Sequence, residues 1–257
     1  MTPKQKLKRI IIQQERKTLA YEKKYAKVVK RALIEQVNYA STHNGTINFE
    51  PMRKAVLSLF EDVALYFGVW QYDILDKKLV TKADGFFLNN LKIWMQIYMN
   101  TYLASHVTEI NDTTQKQIQR ILSKGIGQDF QTLADLLQTN IDSIASNFRA
   151  VMIARTEIAN AVNAAKKRSS DDWEDETKEQ LYKLWIHRFA KEPRSWHKAL
   201  DNDIAIPKEQ DFRVIDPKGN EELMSRPHAE GATAKNTVNC SCQVMYVSER
   251  FAKSLLK

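Results

Sequence analysis

Apolar positions repeat at helical spacing through the first two-thirds of the chain and predict several long helices. Over residues 3–40 they return every three or four residues, with polar gaps at Gln14 and Thr18. His43-Asn-Gly45 ends this first helix, and a second helix follows with an apolar stripe from Met52 to Phe67. Such stripes are typical of helices that pack one face on a core.

Further helices follow at shorter intervals. After a break at Asp84-Gly85 an aromatic helix runs from Phe87 to Tyr102, and Thr113-Thr114 is the predicted cap of a short helix. A helix from Phe130 to Leu137 then precedes a long helix from Ile141 to Arg168. Helices are therefore expected as far as this point of the chain.

The periodicity changes after the charged stretch 166–179, which is interpreted as a helix end followed by a linker. Three short runs, 182–189, 211–215 and 243–247, have the composition of strands, and Asp216-Pro-Lys-Gly219 predicts a turn. Helices first and strands last predict an α+β fold, with a predominantly helical N-terminal two-thirds and a small C-terminal β-sheet.

Length and charge distribution predict how the chain divides into domains and where its positive charge lies. The 257 residues, 43% of them hydrophobic, suffice for one large or two modest folded domains. We expect a helical, basic N-terminal region over 1–110 and an α+β domain over 111–257. The formal net charge is +8, and up to Arg31 basic residues exceed acidic ones by nine. The first helix therefore carries the whole net charge.

The basic side chains of the first helix have two interpretations. One is a solvated helix face, and the other is a surface for double-stranded DNA or an acidic protein partner, because clustered Lys and Arg attract phosphates whatever the base sequence. The residues concerned are Lys4, Lys6, Lys8, Arg9, Arg16, Lys17, Lys23, Lys24, Lys27, Lys30 and Arg31. No apolar run has the length of a membrane span and no signal peptide is recognisable, so we expect a protein made in the cytoplasm.

Metal-ligand residue types concentrate near the C-terminus. Cys240 and Cys242, the two cysteines of the chain, follow His197 and His228. Residues i and i+2 of an extended segment point to the same side, so these four residues offer the ligands of a structural zinc site. Alternatively, the thiols are small buried groups and the histidines make ordinary hydrogen bonds. Catalysis by a cysteine–histidine hydrolase or a metal-dependent nuclease is a third interpretation.

Arg155 falls on two overlapping apolar stripes of the long helix, so we expect its guanidinium on the packed side. A buried arginine needs a carboxylate or several carbonyls as partners. Arg155 is therefore predicted to clamp the C-terminal region, with Asp201 or local carbonyls as its partner. Glu157, on a neighbouring face, belongs to the same candidate clamp with a partner elsewhere. Asp201 is also a candidate to orient the His197 imidazole.

Several motifs of the C-terminal half occur together in an order that resembles a known family. They are Arg149-Ala150, Ile153-Ala-Arg-Thr-Glu157, Asn163, Trp185, Arg194-x-x-His197, Leu200-Asp201, Pro227-His228 and Asn239-Cys-x-Cys242. Over roughly residues 113–247 the chain resembles the phage head morphogenesis family, which is typified by the Mu F protein and the SPP1 minor head protein.

The resemblance implies a minor capsid protein of a tailed phage or prophage. Its implied partners are the portal protein, scaffold or major capsid protein, and DNA, with few copies per head and no membrane. Its implied place is the capsid interior or portal vertex of the virion, after assembly in the host cytoplasm, with a link to DNA packaging or ejection. On this interpretation it is not an enzyme. Two alternatives stay open: a metal-dependent enzyme acting on nucleic acid, and a simple DNA-binding protein.

Overall fold

A computed structural model describes residues 1–75, 86–187, 194–201 and 204–255 of the chain. The described residues are 70% helical, and the C-terminal region contains a small antiparallel sheet. This confirms the predicted α+β class. No helix within the described ranges is long and apolar enough to cross a membrane.

The first two-thirds of the protein consist of helices. The α-helices are α1, Pro3–Thr42; α2, Glu50–Leu75; α3, Phe86–Tyr98; α4, Ala104–Leu122; α5, Phe130–Thr139; α6, Ile141–Ile144; and α7, Asn147–Thr177. A π-helical turn, Met99–Leu103, joins α3 to α4, and a 3-10 turn, Ser123–Gly125, follows α4. The break predicted at 84–85 lies outside the described residues.

Three helix predictions were wrong in their boundaries. The helix expected from Ile141 to Arg168 is divided into α6 and α7, with Ala145 and Ser146 between them. Thr113 and Thr114 do not begin a helix but lie inside α4, where their hydroxyls donate to the carbonyls four residues earlier at 2.9 Å. The stretch 166–179 is not a linker, because α7 continues to Thr177. Ion pairs at i and i+4 support this last part of the helix, for example Arg168 with Asp172 at 2.6 Å. Trp173 is buried there as well.

Strands and short helices alternate in the last third. They are β1, Leu181–Ile186; α8, Ser195–Lys198; β2, Ile206–Pro207; β3, Phe212–Ile215; β4, Glu221–Met224; α9, Ala234–Thr237; β5, Gln243–Ser248; and α10, Glu249–Leu255. The antiparallel sheet has the order β2-β1-β5, and β3 and β4 form a separate hairpin. The predicted strands correspond to β1, β3 and β5, although residues 188–189 lie outside the described ranges.

The chain forms two compact units that are not contiguous in sequence. The first contains residues 1–21, 61–95 and 155–257, and the second contains 22–60 and 96–154. The division expected at residue 110 does not coincide with these units, because α1, α2, α3 and α7 each contribute residues to both.

The sheet of the first unit packs on α1 and α10. Its core cluster consists of Leu7, Ile11, Leu184, Ile186, Met245, Val247, Ala252 and Leu255. The polar gaps of the α1 stripe are buried here too. The Gln14 side-chain amide donates to Oε1 of Gln243, and Gln243 Nε2 donates to Thr18 Oγ1 at 2.9 Å. The buried face of α1 is therefore continuous, and its polar positions match a buried polar side chain of β5.

The second unit has a separate core and a buried arginine. Its core cluster consists of Val37, Ala40, Ile47, Ile118, Ile121, Leu137 and Ile144. Arg149, only 7% exposed, donates to the Ile144 carbonyl at 3.0 Å and to Thr114 Oγ1 at 2.8 Å. Burial lowers the pKa of Arg149 to about 10. The fully packed arginine of α7 is thus Arg149, whereas Arg155 is half-buried.

Candidate metal centre and basic helix surface

Three metal-ligand residues come together in the first unit. His197 lies on α8, and Cys240 and Cys242 precede β5. The Nδ1 atom of His197 is 3.5 Å from the Sγ atom of each cysteine. The three donor atoms all lie within 4.8 Å of one another, and the three residues are only 1–3% exposed.

The segment that carries the cysteines is anchored to α7 at its start. Asn239 has a left-handed backbone, with φ of +57°. Its N–H donates to Thr156 Oγ1 at 2.8 Å, and its Oδ1 accepts from Arg155 Nη1 at 2.9 Å. Arg155 does contact the C-terminal region, and the partner that the structure describes is an amide oxygen.

Asn163 of α7 holds the other end of this segment. Its Nδ2 donates to the Cys242 carbonyl at 3.0 Å, and its Oδ1 accepts the Val244 N–H at 2.7 Å. Further along the same edge, Lys166 Nζ donates to the Val244 carbonyl at 3.0 Å. Gln71 of α2 bonds both backbone groups of Tyr246. Helix side chains therefore satisfy the outer edge of β5, where a further strand would otherwise pair.

The hydrogen bonds around His197 define its tautomer. Asn236 Nδ2 donates to the Glu222 carboxylate at 2.5 Å, so Asn236 Oδ1 faces the other way and accepts the Trp196 indole N–H at 2.8 Å. The same Oδ1 lies 3.1 Å from His197 Nε2. Because this oxygen only accepts, Nε2 carries the proton. In the neutral imidazole Nδ1 is then the nitrogen with the free lone pair, and it faces both sulfurs.

The two thiols affect each other's ionisation. The hydrogen bond with Cys242 lowers the pKa of the Cys240 thiol well below its ordinary value, against the effect of burial, and His228 acts in the same direction. The contact with Cys240, together with burial, raises the pKa of Cys242. The Cys242 N–H also donates to Cys240 Sγ at 3.4 Å. Cys240 is thus the sulfur that the site prepares to carry negative charge.

The other predicted site residues lie close by with different partners. His228 is buried, and its Nε2 contacts the Cys240 carbonyl at 3.0 Å, so its ring supports the backbone of the cysteine segment. Asp201 pairs with His187, whose backbone N–H it also accepts at 3.3 Å. Glu157 is 3% exposed. The residue that orients His197 is Asn236, which no periodicity or motif singled out.

The basic residues of α1 are mainly on its solvent side. Lys17 and Lys30 are half-buried, and Lys30 donates to Asn147 Oδ1 at 2.9 Å. The other nine predicted basic residues are exposed. Five of them share the side of α1 opposite its buried stripe, since they are spaced by seven or four residues. This basic stripe consists of Arg9, Arg16, Lys23, Lys27 and Arg31.

A family model described as Phage Mu protein F like protein matches residues 112–245. The chain belongs to this family. It is therefore a phage head morphogenesis protein that associates with the virion and with other capsid components. No curated protein and no solved structure matches the chain. The range matched by the Phage Mu F-like family contains both the Arg155–Asn163 part of α7 and the Asn239–Cys242 segment bonded to it.

Proposed function

We propose that this Phage Mu F-like chain is a minor capsid protein that enters the head during assembly. It associates with the portal protein and with scaffold or major capsid protein, and it is carried in few copies at the portal vertex or in the capsid interior. The family match over residues 112–245 carries this proposal. A role in DNA packaging or ejection follows from that location.

The role we assign to the protein is structural and not catalytic. The His and Cys cluster that suggests an active site in the sequence is 1–3% exposed. A nucleic acid cannot reach such side chains unless the unit opens. The same segment bonds to α7 at Asn239 and Cys242, which supports a role in holding the fold together.

DNA contact is assigned to the basic stripe of α1. Its five side chains are exposed and lie opposite the face that packs on the protein, so they are oriented toward a partner or solvent. Their chemistry suits phosphates, and it requires no base-specific contact. Such binding matches a protein that lies next to packaged DNA.

Mass spectrometry of purified particles tests the capsid role. We expect the protein in procapsids and virions of a phage that carries the gene, at far fewer copies than the major capsid protein. Cross-linking should join it to the portal protein. Absence from both kinds of particle would overturn the proposal.

Filter retention of double-stranded DNA at increasing salt tests the basic stripe. Replacing its five residues by Gln should weaken binding and lower the slope of log K against log salt by about 0.9 for each phosphate that is no longer neutralised. A matched control replaces five exposed lysines elsewhere, which changes the net charge equally: Lys54, Lys92, Lys116, Lys124 and Lys218. Equal losses in both variants would refute a localised DNA surface. DNA degradation during the assay would favour the enzymatic alternative.

A further inference from the structure

We propose that His197 Nδ1, Cys240 Sγ and Cys242 Sγ bind one zinc ion, which joins α8 to the segment that leads into β5. The inference is independent of the proposed capsid role. It would make the C-terminal part of the first unit a metal-stabilised structure. Four observations carry it: the spacing of the donors, the hydrogen-bonding capacity of Nδ1, the charge of the cluster, and the groups that surround it.

The donor spacing matches the edges of a zinc tetrahedron. Zinc–sulfur bonds of about 2.3 Å and zinc–nitrogen bonds of about 2.0–2.1 Å, at the tetrahedral angle, separate sulfur from nitrogen by about 3.5–3.6 Å. Both sulfurs lie 3.5 Å from His197 Nδ1. Two nitrogen–sulfur edges of the site therefore already have the length that zinc requires.

Hydrogen bonding alone accounts for only one of these two contacts. In the neutral imidazole His197 Nδ1 has a single lone pair, because Nε2 carries the ring proton toward Asn236. One thiol can donate to that lone pair, and the second sulfur at the same distance cannot. A cation shared by all three donors satisfies both contacts at once.

The charge of a zinc complex suits this buried position. Zinc displaces one proton from each thiol, so two thiolates and Zn²⁺ sum to zero beside a neutral imidazole. A neutral complex avoids the high cost of an isolated buried charge. Two sulfurs and one nitrogen are also the donor set that favours zinc over the hard cations Mg²⁺ and Ca²⁺. Three protein donors leave one tetrahedral position for a water molecule.

The surrounding groups support negative sulfurs and an oriented imidazole. Glu222 orients Asn236, and Asn236 accepts from His197 Nε2, which leaves Nδ1 of the neutral ring free to bind a metal. Metal-bound histidines commonly donate their other ring N–H to such an acceptor. The Cys242 N–H points at Cys240 Sγ, at 3.4 Å. Trp185, whose indole N–H is a hydrogen-bond donor, is 1% exposed. Its ring lies against His197, 5.2 Å between centroids, so this buried donor borders the site.

Metal analysis of the full-length protein, purified without a histidine tag, tests the inference first. We expect about one zinc per chain after loading and dialysis, and no retention of Mg²⁺. Replacing zinc by Co²⁺ should produce thiolate-to-cobalt charge-transfer absorption in the near ultraviolet. Wild-type protein that retains no zinc, or whose Co²⁺ form lacks this absorption, would overturn the proposal.

Variants then identify the ligands. Cys240→Ser and His197→Ala should each lose zinc and the charge-transfer bands, whereas His43→Ala, at an exposed position, should keep both. Asn236→Leu removes the acceptor for His197 Nε2–H and should weaken zinc affinity by about 10–100-fold in a chelator competition, with the metal ligands intact. Stoichiometric zinc in folded Cys240→Ser would refute the assignment. If the ligand variants fail to fold, the wild-type Co²⁺ spectrum and the Asn236→Leu affinity still decide it.

Discussion

Asn163→Leu should strongly destabilise the first unit. The Asn163 amide is fully buried and bonds two backbone groups on the edge of β5, the Cys242 carbonyl at 3.0 Å and the Val244 N–H at 2.7 Å. Leucine has a similar volume but neither donates nor accepts. The substitution therefore leaves both backbone groups buried without these partners.

The size of the effect follows from those two groups. A buried polar group left unpaired costs about 1–3 kcal/mol, so the pair costs about 2–6 kcal/mol. The additional apolar surface of leucine offsets about 1 kcal/mol of this. We expect a net loss of about 1–5 kcal/mol in the free energy of unfolding, a large share of the stability of an ordinary domain.

Urea unfolding followed by tryptophan fluorescence measures this loss in the right part of the protein. All five tryptophans, at positions 70, 94, 173, 185 and 196, belong to the first unit. Asn89→Leu makes the same chemical change at an exposed position of α3 and should shift stability by no more than about 0.5 kcal/mol. A loss below about 1 kcal/mol for Asn163→Leu would refute the idea that its amide replaces a neighbouring strand.

Three further predictions concern backbone strain, pH and the second unit. The free energy of unfolding in urea should be about 1 kcal/mol lower for Asn239→Ala than for Asn239→Gly, because φ at this position is +57° and alanine is strained there. Both variants lose the hydrogen bond from Arg155, so equal stabilities would exclude backbone strain at this position. Burial lowers the pKa of Lys183 to about 8, so between about pH 8 and 10.5 the unfolded chain binds more protons than the folded protein. The free energy of unfolding should therefore rise with pH across that window. In parallel urea titrations Lys183→Met should lack this rise. Arg149→Met should cost about 2–3 kcal/mol, seen as faster amide hydrogen exchange in α4 and α6, and unchanged exchange would contradict its role.

The family resemblance has a physical basis in contacts between two distant motifs. The Arg-Thr pair at 155–156 bonds Asn239, and Asn163 bonds Cys242, which is 79 residues further along the chain. These residues therefore hold α7 against the start of β5. Both motifs lie inside the range that the family model matches, 112–245. The sequence showed them in order, but not that they touch.

Local patterns in the sequence determined the elements that bury one continuous face. Apolar periodicity predicted the stripes of α1 and α2, the helix at Phe130 and the strands β1, β3 and β5. It does so because the spacing of apolar residues indicates which face of a single helix or strand is buried. The α+β class and the family followed from the same patterns and motifs. The predicted end of α7 was wrong because its charged last part is stabilised by ion pairs within the helix, such as that of Arg168 with Asp172.

Only the tertiary structure decided which polar side chains are buried and what they bond. In the sequence Gln14 and Thr18 interrupt an apolar stripe, and the structure shows that both are hydrogen-bonded to Gln243 of β5. Asn236 belongs to no motif, and the structure places its side chain between Glu222 and His197. A polar residue can be buried only where a distant partner satisfies it, and that partner is set by packing and not by neighbours in sequence. For the same reason, the sequence determined which residue types were available for a metal, and the fold selected the three that converge.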